Sequence, residues 1–462
     1  MNFAGRKVLV LGLGDTGLSM AKWLTRRGAA VHVADTRTAP PCLDELRRAL
    51  PGIDVHCGDY REGSFAGIDL IAISPGVPLA DPGVRRAVAS GVQAVGDVEL
   101  FAQGIAGNGR PRILAVTGTN GKSTVTALAG AMARAAGADC EVAGNIGPPV
   151  LDALMRCEDE KRSPPLWVLE LSSFQLETTN TLDAEAATVL NLSEDHLDRY
   201  AGMDDYAAAK ARIFQGGGAR VLNRDDPRSL SMARPDRTTI TFGLGAPHRP
   251  DDWGLVERGG EPWLALGAKP LLAARDMKLA GLHNAANALA ALALCRALGL
   301  PLEPMIPALR DFRGLPHRVE PVGELHGVRW YDDSKGTNVG STVAALAGLT
   351  RGSARVVLIA GGEGKGQDFS PLKAAVAQVA RCVVLIGRDA PLIEAAIAGA
   401  GVPIRRAVTM EEAVLISAGQ AQPGDVVLLS PACASFDMFR NYKHRGEVFH
   451  AAVEGLSRAP TH

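Results

Sequence analysis

The sequence lacks the features typical of secreted, disulfide-rich and membrane-spanning proteins. Its seven cysteines are odd in number and form no Cys-x-x-Cys pair, which argues against a disulfide framework and against a zinc knuckle. The richest apolar stretch, NALAALALCRALGL, is interrupted by Arg296 and is too short to span a bilayer. No charged-then-apolar leader precedes the strand-like KVLVL near the N-terminus. We therefore expect a soluble, cytoplasmic protein without stable membrane insertion.

An excess of one charge is missing as well. The 49 basic and 50 acidic residues give a formal net charge of -1, so no global field attracts nucleic acid or acidic membranes. We expect no nucleic-acid partner. Neither a low-complexity segment nor a short-period repeat is present, and the 47% hydrophobic content is that of a globular protein. A chain of 462 residues is too long for one hydrophobic core, which predicts several domains.

Short apolar runs alternate with helical stretches in three successive blocks, the pattern of parallel α/β sheets. We predict an α/β fold of three domains over residues 1–100, 101–314 and 315–462, with Rossmann-like first and third domains and a P-loop-type central domain whose sheet is mainly parallel. The Gly- and Pro-rich residues 238–271 predict irregular or antiparallel strands. The Pro-rich stretch LPLEPMIPALRDFRGLPHR, which ends at Arg318, is the candidate hinge before the third domain.

A glycine fingerprint follows the first predicted strand. Gly12-x-Gly14-x-x-Gly17 opens a helix, and Asp35 ends the next strand 18 residues after Gly17. In this arrangement the glycines let the backbone approach a ligand, and the helix N-terminus attracts a diphosphate. Taken alone, the motif is compatible with a nicotinamide-dependent oxidoreductase or with a purely structural turn.

A second glycine loop, AVTGTNGKST, is almost a P-loop. The usual motif G-x-x-x-x-G-K-[ST] needs a glycine where this chain has Val116. The loop nevertheless joins a predicted strand to a predicted helix, so its backbone N–H groups can surround phosphate oxygens. Lys122 can reach the terminal phosphates, and Ser123 or Thr124 can bind Mg²⁺.

Polar residues also follow other apolar strands, where the carboxyl ends of a parallel sheet line a crevice. Glu170 ends LWVLE, and Asp195 and His196 follow AATVLNLS. In HNAAN, two asparagines three residues apart share a helix face and fit either a nucleotide contact or helix capping. YDDSKGTN places further acids and a lysine after a later strand.

Taken together, these motifs are similar to those of a known family. GTNGKST, LELSSFQLE, NLSEDHLDRY, GLHNAANALAA, GLPHR, YDDSKGTN and LLSPACASFDMF occur in the order found in the ATP-dependent Mur ligases of peptidoglycan synthesis. The resemblance implies addition of D-glutamate to UDP-N-acetylmuramoyl-L-alanine through an acyl phosphate and a tetrahedral intermediate. It implies ATP and Mg²⁺ as cofactors, with two ions expected, and we expect a monomer.

The resemblance also assigns roles residue by residue. It assigns ATP binding to Gly118, Thr119, Asn120, Gly121, Lys122, Ser123, Thr124, Asn284, Asn287, Arg318, Asp333 and Lys335. It assigns the UDP-sugar to Asp15, Thr16, Asp35, Thr36, Arg37, Ser74, Gly76 and Asn145, and D-glutamate to Thr337, Lys365, Ser435, Phe436 and Tyr442. The implied metal ligands are Ser123, Thr124, Glu170, His196 and Lys210. Lys122, His196 and Lys210 are the implied catalytic residues, with Lys210 carbamylated.

Three alternatives remain at this stage. A nicotinamide-dependent oxidoreductase would use the N-terminal fingerprint but leave the second glycine loop without a role. A related ligase, either a Mur ligase for another amino acid or a folylpolyglutamate synthetase, would share that shortened loop. A non-catalytic nucleotide-binding module would not need so many ionisable residues at strand ends.

Overall fold

The apolar runs form the strands of three separate β-sheets, one in each successive domain. The computed structural model describes residues 3–60, 62–107, 109–279, 281–349 and 354–458. Among these residues no helix is both long and apolar enough to cross a membrane. The α/β fold of three domains predicted from the sequence is confirmed.

The first domain is a five-stranded, entirely parallel sheet. Its strands are β1 (Lys7–Leu11), β2 (Ala30–Asp35), β3 (Asp54–Cys57), β4 (Leu70–Ile73) and β5 (Gln93–Val95). Its helices are α1 (Asp15–Arg26), α2 (Leu43–Ala49), α3 (Pro82–Ala89) and α4 (Asp97–Gly104), with a 3₁₀ helix at Glu62–Phe65. The strand order β3-β2-β1-β4-β5 reverses direction between β1 and β4. Loops diverge at such a point and leave a crevice at the carboxyl ends of the strands.

The central domain contains a nine-stranded sheet. Its strands are β6 (Arg112–Thr117), β7 (Cys140–Gly144), β8 (Leu166–Glu170), β9 (Ala186–Val189), β10 (Ala219–Asn223), β11 (Thr239–Phe242), β12 (Trp253–Arg258), β13 (Glu261–Leu266) and β14 (Lys269–Ala273). Its helices are α5 (Lys122–Ala135), α6 (Val150–Asp159), α7 (Ser173–Glu177), α8 (Met203–Ala211), α9 (Pro227–Leu230), α10 (Leu282–Ala297) and α11 (Leu302–Asp311), with 3₁₀ helices at Arg212–Phe214 and Ala274–Asp276.

The order of the central sheet is β14-β13-β12-β11-β10-β9-β6-β8-β7. It is parallel except for the β12-β13-β14 meander, which is antiparallel. This meander covers residues 253–271 of the segment 238–271, where antiparallel strands were among the expectations, whereas β11 in the same segment pairs in parallel with β10. Strand β6 lies between β9 and β8, so the loops after these three strands meet at one edge.

The third domain has a six-stranded sheet. Its strands are β15 (Glu320–Leu325), β16 (Val328–Asp332), β17 (Val356–Gly361), β18 (Ala380–Ile386), β19 (Ile404–Arg406) and β20 (Val426–Leu429). Its helices are α12 (Val339–Leu349), α13 (Pro371–Val379), α14 (Ala390–Ile397), α15 (Met410–Gln420) and α16 (Tyr442–Arg458). The order is β15-β16-β20-β17-β18-β19, with only the β15–β16 pair antiparallel among the described strands.

The Pro-rich candidate hinge is largely helical. Pro301 precedes α11, and Pro304 lies in its first turn, where a backbone N–H has no partner within the helix. Met305 and Leu309, four residues apart, are buried and favour the helix despite Pro307 in its interior. A non-helical connection between the second and third domains therefore extends only from Phe312 to Val319.

One hydrophobic core joins the first two domains. Val8 and Val10 of β1 share it with Trp23 of α1 and with residues of the central sheet such as Leu169. The third domain instead has cores of its own on the two faces of its sheet. The first two domains are thus packed together, whereas polar contacts form much of the third domain's junction with the phosphate loop.

Candidate active site

The second glycine loop lies between β6 and α5, at the N-terminus of the helix. Gly121 has φ +83° and precedes α5 without any side-chain cap, so the N–H groups of the first turn point towards the loop. A Cβ atom at Gly121 would overlap Oδ1 of Asn287, and its positive φ would strain any other residue. The loop therefore has the geometry of an anion site at a helix N-terminus.

Lys122, the first residue of α5, bends back over the loop. Its Nζ donates to the carbonyl oxygens of Gly118 and Thr119, both at 2.8 Å. Burial lowers its pKa, while the negative charges of Glu170 and Asp195 oppose that shift. A cation is thus held beside the backbone donors that would face phosphate.

Glu170 ends β8 and is 1% exposed. Its Oε1 accepts a 2.6 Å hydrogen bond from Nδ2 of Asn145. Its Oε2 is buried and has no hydrogen-bond partner among the described residues. A buried, unpaired carboxylate oxygen is costly unless a cation faces it. The donor chemistry of this position therefore fits a hard metal ion.

Lys210 of α8 is 2% exposed, although a lysine in a helix is ordinarily expected at the exposed surface. Its Nζ lies 3.0 Å from the carbonyl oxygen of Gly118 and 4.6 Å from the ring centroid of Tyr206. Burial, and next the charge of Lys122, lower its pKa well below the usual lysine value. A buried lysine with a large neutral fraction can attack CO₂, lose a proton and become an anionic carbamate.

His196 lies in the loop after β9 with φ +56°. Its ring centroid is 4.7 Å from that of Phe174, and its Nε2 is 3.7 Å from Oδ2 of Asp195. Burial lowers its pKa, which favours the neutral imidazole that ligates metals. The charges of Lys210, Lys122 and Lys365 also act on it, so residues from several elements meet here.

A cavity of about 350 Å³ lies between the phosphate loop, α10 and the third domain. Seven residues assigned to ATP line it: Asn120, Gly121, Thr124, Asn284, Asn287, Arg318 and Asp333. Two cations meet at its edge, where Nη2 of Arg318 lies 2.8 Å and Nζ of Lys335 lies 3.5 Å from Oγ of Ser123. Burial raises the pKa of Asp333 to about 7 and lowers that of Lys335 to about 8.

A second cavity, of about 580 Å³, opens in the first domain beside β1 and β4, where the strand order of the sheet reverses. All eight residues assigned to the UDP-sugar line it, namely Asp15, Thr16, Asp35, Thr36, Arg37, Ser74, Gly76 and Asn145. Asp35 accepts from N of Leu13 at 2.6 Å and from Nε and Nη2 of Arg37 at 2.8 and 2.6 Å. Burial raises the pKa of Asp35, but these hydrogen bonds outweigh it and leave a lowered value. Because Asn145 also touches Glu170, this cavity leads towards the phosphate loop.

The residues assigned to D-glutamate come from three loops of the third domain and from the start of α16. Glu363 and Ala434 form an isolated bridge, which brings the loop of Lys365 beside the loop of Ser435. Lys365 has φ +51° and shares a small cavity with His196. Ser435 is buried, Phe436 is 69% exposed, and Lys335 Nζ lies 5.0 Å from the ring of Tyr442. Thr337 lies two residues after Lys335, and its backbone N–H donates to the carbonyl oxygen of Lys335 at 3.0 Å.

Several residues of the site were not assigned from the sequence. Asn338 exchanges two amide hydrogen bonds with Asn120, at 3.0 and 3.3 Å. Asn191 Oδ1 accepts from N of Asn120 at 2.8 Å. Tyr60 and Gln175 line the second cavity. Asn338 directly follows Thr337 in YDDSKGTN, so its motif carried a signal, whereas Tyr60 lies outside any motif.

A phosphate loop between two cavities, with buried lysines and a carboxylate, fits an enzyme that uses a nucleoside triphosphate on a second substrate. Three family models match the sequence: the Mur ligase MurD-like N-terminal domain over residues 6–96, the Mur ligase middle domain over 116–295, and the Mur ligase glutamate ligase domain over 317–433. The chain belongs to the Mur ligase family. Members of this family use ATP, commonly with Mg²⁺.

Two relatives align with this chain over almost their whole length and carry the same name. A UDP-N-acetylmuramoylalanine–D-glutamate ligase from Nitrosospira multiformis is 59% identical, with 99% of this chain and 97% of the relative aligned. The enzyme of that name from Chromobacterium violaceum is 53% identical over 99% of this chain and 100% of the relative.

Solved structures support the fold. The UDP-N-acetylmuramate–alanine ligase from Thermotoga maritima matches with a TM-score of 0.62 and 19% identity, over 97% of this chain and 99% of that one. A pseudomurein peptide ligase from Methanothermus fervidus gives a TM-score of 0.61 at 17% identity, over 98% and 100% of the two chains.

Proposed function

We propose that this protein joins D-glutamate to UDP-N-acetylmuramoyl-L-alanine, with ATP converted to ADP and phosphate. The relatives at 51–59% identity all carry the name of this activity. The observation that carries the proposal is the position of the phosphate loop, with Lys122, Glu170 and Lys210 around it, between the nucleotide cavity and the cavity of the first domain. The product belongs to peptidoglycan precursor synthesis, which we place in the cytoplasm.

The reaction transfers the γ-phosphoryl group to the alanyl carboxylate. An oxygen of that carboxylate forms a bond to phosphorus while ADP leaves, giving an acyl phosphate. The amine of D-glutamate then attacks the acyl carbon, a tetrahedral intermediate forms, and phosphate departs as the amide is made. Bringing two anions together requires positive charge between them, and Lys122 is placed to supply it.

The residues around Glu170 fit magnesium. Ser123, Thr124 and Glu170 would hold one ion, and Glu170, His196 and a carbamylated Lys210 would hold a second. Two features support this assignment: Oε2 of Glu170 is buried without a hydrogen-bond partner among the described residues, and the lowered pKa of His196 favours its neutral form. Bound Mg²⁺ would supply charge neutralisation at the phosphates. The twelve residues assigned to ATP lie in or beside the first cavity and would bind the nucleotide.

The remaining assignments divide between the outer domains. The eight residues of the second cavity would bind the UDP-sugar, and Thr337, Lys365, Ser435, Phe436 and Tyr442 would bind D-glutamate. We propose domain boundaries at residues 1–100, 101–314 and 315–462, and a monomeric enzyme. The short connection from Phe312 to Val319 is the segment around which the third domain would close, which would protect the acyl phosphate from water.

The activity is tested by phosphate release from ATP. The purified chain is supplied with UDP-N-acetylmuramoyl-L-alanine and, in parallel, with D-glutamate, L-lysine, L-alanine or meso-diaminopimelate. We expect release only with D-glutamate. Equal release with another amino acid would contradict the assigned specificity, and oxidation of NADH would favour the oxidoreductase alternative.

The role of Lys210 needs a separate test, because a carbamate is labile. Lys210→Ala should lower turnover at least ~100-fold, since a carbamate that supports metal binding would be lost. Short-chain carboxylates should restore part of that activity by supplying the missing oxygen ligands. Lys269→Ala, which changes an exposed lysine, is the control and should not respond to carboxylates. Full activity of Lys210→Ala would end the metal-ligand assignment.

A further inference from the structure

A buried carboxylate outside the assigned site links three elements of the third domain. Asp332 ends β16 and is 0% exposed. Its Oδ2 lies 2.7 Å from Nδ1 of His317, in the connection before β15, and 3.0 Å from Nε2 of His450 on α16. Its Oδ1 accepts from N of Ser334 at 2.7 Å. We call His317, Glu320, Asp332 and His450 the Asp332 cluster.

The distances distinguish a hydrogen-bonded cluster from a metal centre. Zinc bonds of 2.0–2.1 Å at tetrahedral angles separate ligand atoms by about 3.3 Å. The two imidazole–carboxylate distances here are 2.7 and 3.0 Å, which are those of charge-assisted hydrogen bonds. The remaining acid, Glu320, accepts from the backbone N of His317 at 2.8 Å. The Asp332 cluster therefore fixes the backbone and ring of His317.

His317 is adjacent to the nucleotide site on two sides. Arg318, the next residue, donates to Oγ of Ser123 on the phosphate loop. The carbonyl oxygen of His317 accepts from N of Lys335 at 3.1 Å. His317 and Val319 have φ of +61° and +49°, a region that non-glycine residues rarely adopt. Such a backbone persists only where surrounding contacts hold it, and for His317 the Asp332 cluster provides those contacts.

The packing of α16 is adapted to this contact. Gly446 lies in the helix interior, where glycine disfavours helix formation. A Cβ atom at this position would overlap Nδ1 of His317 and lie 2.6 Å from Oδ2 of Asp332. The helix thus carries a residue that weakens it locally and leaves room for the His317–Asp332 contact.

We propose that Asp332 is a positioning residue for ATP: through His317 it orients Arg318 and Lys335 in the nucleotide site, and His450 ties the carboxylate to α16. This inference rests on the proposed function, because it assumes that Arg318 and Lys335 bind ATP. Asp332 itself does not line the nucleotide cavity.

The charged groups around Asp332 determine its protonation. Besides the two histidines, the charges of four other groups act on the cluster. They are Glu320 of β15, Glu454 and Arg445 of α16, and the neighbouring Asp333. Burial raises the pKa of Asp332, but the hydrogen bonds from His450 and His317 outweigh it and leave the pKa lowered. The hydrogen bond to Asp332 raises the pKa of His450. The His450–Asp332 ion pair is therefore present below that raised pKa and is lost as the pH rises through it.

The first test moves His317 without removing any charge. In Gly446→Ala we expect the KM for ATP to rise at least fivefold, while the KM for UDP-N-acetylmuramoyl-L-alanine stays within twofold. Gly455→Ala on the same helix is the matched control, because a Cβ there meets no atom within 4 Å, and it should leave both constants unchanged. A general loss of folded protein would lower the apparent kcat and leave both KM values unchanged. An unchanged KM for ATP in folded Gly446→Ala would overturn the proposal.

The second test concerns the carboxylate and its protonated partner. Asp332→Asn should raise the KM for ATP at least fivefold. His450→Gln keeps a donor to Asp332 but does not titrate, so its KM for ATP should rise less steeply with pH than that of the wild type. His444→Gln, on the same helix and also half-buried, should keep the wild-type profile. Identical pH profiles for wild type and His450→Gln would contradict the role of His450.

Equilibrium binding of the non-hydrolysable analogue AMP-PNP separates this inference from the proposed function. If the wild type binds AMP-PNP but forms no product, the proposed function fails, and weaker binding by Asp332→Asn still supports the positioning role. Unchanged AMP-PNP affinity in folded Asp332→Asn overturns the positioning role whatever the ligase activity. Micromolar Zn²⁺ binding that His450→Gln abolishes would also overturn it, since the cluster would then be a metal site.

Discussion

Asn120 on the phosphate loop and Asn338 before α12 exchange two side-chain hydrogen bonds, at 3.0 and 3.3 Å, across the junction of the second and third domains. They are 218 residues apart in sequence. With the Arg318–Ser123 contact, this pair joins the third domain to the loop that would hold the ATP phosphates.

Asn338→Asp should weaken that junction. The substitution keeps the size and the acceptor for N of Ser341, but replaces the donor to Oδ1 of Asn120 with an oxygen. Losing one hydrogen bond and placing two oxygens together costs about 1–3 kcal/mol, so kcat/KM for ATP should fall roughly tenfold. Steady-state kinetics measure this. Gln378→Glu, the same amide-to-carboxylate change at an exposed position of α13, is the control. An unaltered kcat/KM in Asn338→Asp would refute a functional junction.

The deprotonation of Lys335 should lower kcat/KM for ATP at alkaline pH. Burial, and next the charge of Arg318, lower its pKa to about 8, so the free enzyme loses this cation as the pH rises through that value. We expect kcat/KM for ATP to fall above pH 8 in the wild type and to stay level in Lys335→Arg, because arginine remains charged. Lys443→Arg, an exposed change, should retain the wild-type fall. The same fall in Lys335→Arg would assign the limit to another group.

Asp333 should destabilise the unliganded protein at neutral pH. Burial raises its pKa from 3.8 to about 7, so its cost to folding is fully present above pH 7 and disappears as the pH falls towards 4. Asp333→Asn removes this cost, on the order of 2–4 kcal/mol, and should raise the melting temperature at pH 8 by roughly 2–5 °C. The gain should vanish near pH 4. Asp251→Asn, an exposed change, should give no gain, and a lower melting temperature for Asp333→Asn at pH 8 would refute the argument.

Arg37 should act on the first-domain cavity alone. Its Nε and Nη2 hold both oxygens of Asp35, a bidentate arrangement that lysine cannot reproduce. Arg37→Lys should raise the KM for UDP-N-acetylmuramoyl-L-alanine about tenfold, or about 1.4 kcal/mol, and leave the KM for ATP within twofold. Arg48→Lys on the same domain should change neither constant. An unchanged KM for UDP-N-acetylmuramoyl-L-alanine, or an equal rise in both constants, would contradict a role confined to the first-domain cavity.

Local patterns predicted the fold and the sheet edges at which the two cavities lie. Glu170 ends an apolar strand, and Gly12, Gly118 and Asp333 each directly follow one, so they mark the carboxyl edges of parallel sheets, where ligand cavities form. The eight residues that the family resemblance assigned to the UDP-sugar line one such cavity. These signals lie within a few residues along the chain and need no knowledge of tertiary structure.

What the pattern could not predict depends on long-range packing. AAAKARIF gives no sign that Lys210 is buried, because its burial results from α8 packing on the loop after β6. The Asn120–Asn338 pair and the His317–Asp332–His450 contacts join residues from distant parts of the chain. The prolines before Arg318 suggested a hinge, yet two lie where the start of a helix tolerates them, and buried Met305 and Leu309 favour the helix.

The bent conformation of Lys122 has a thermodynamic consequence. Its Nζ already donates to two carbonyl oxygens, and Oγ of Ser123 already accepts from Arg318. A phosphate that enters the loop therefore replaces internal partners and does not have to immobilise freely rotating side chains, which is a main cost of binding polar ligands. Nucleotide binding should consequently carry a small loss of side-chain entropy and a modest enthalpy, because bonds are exchanged more than they are created. The loop is ordered before its ligand arrives.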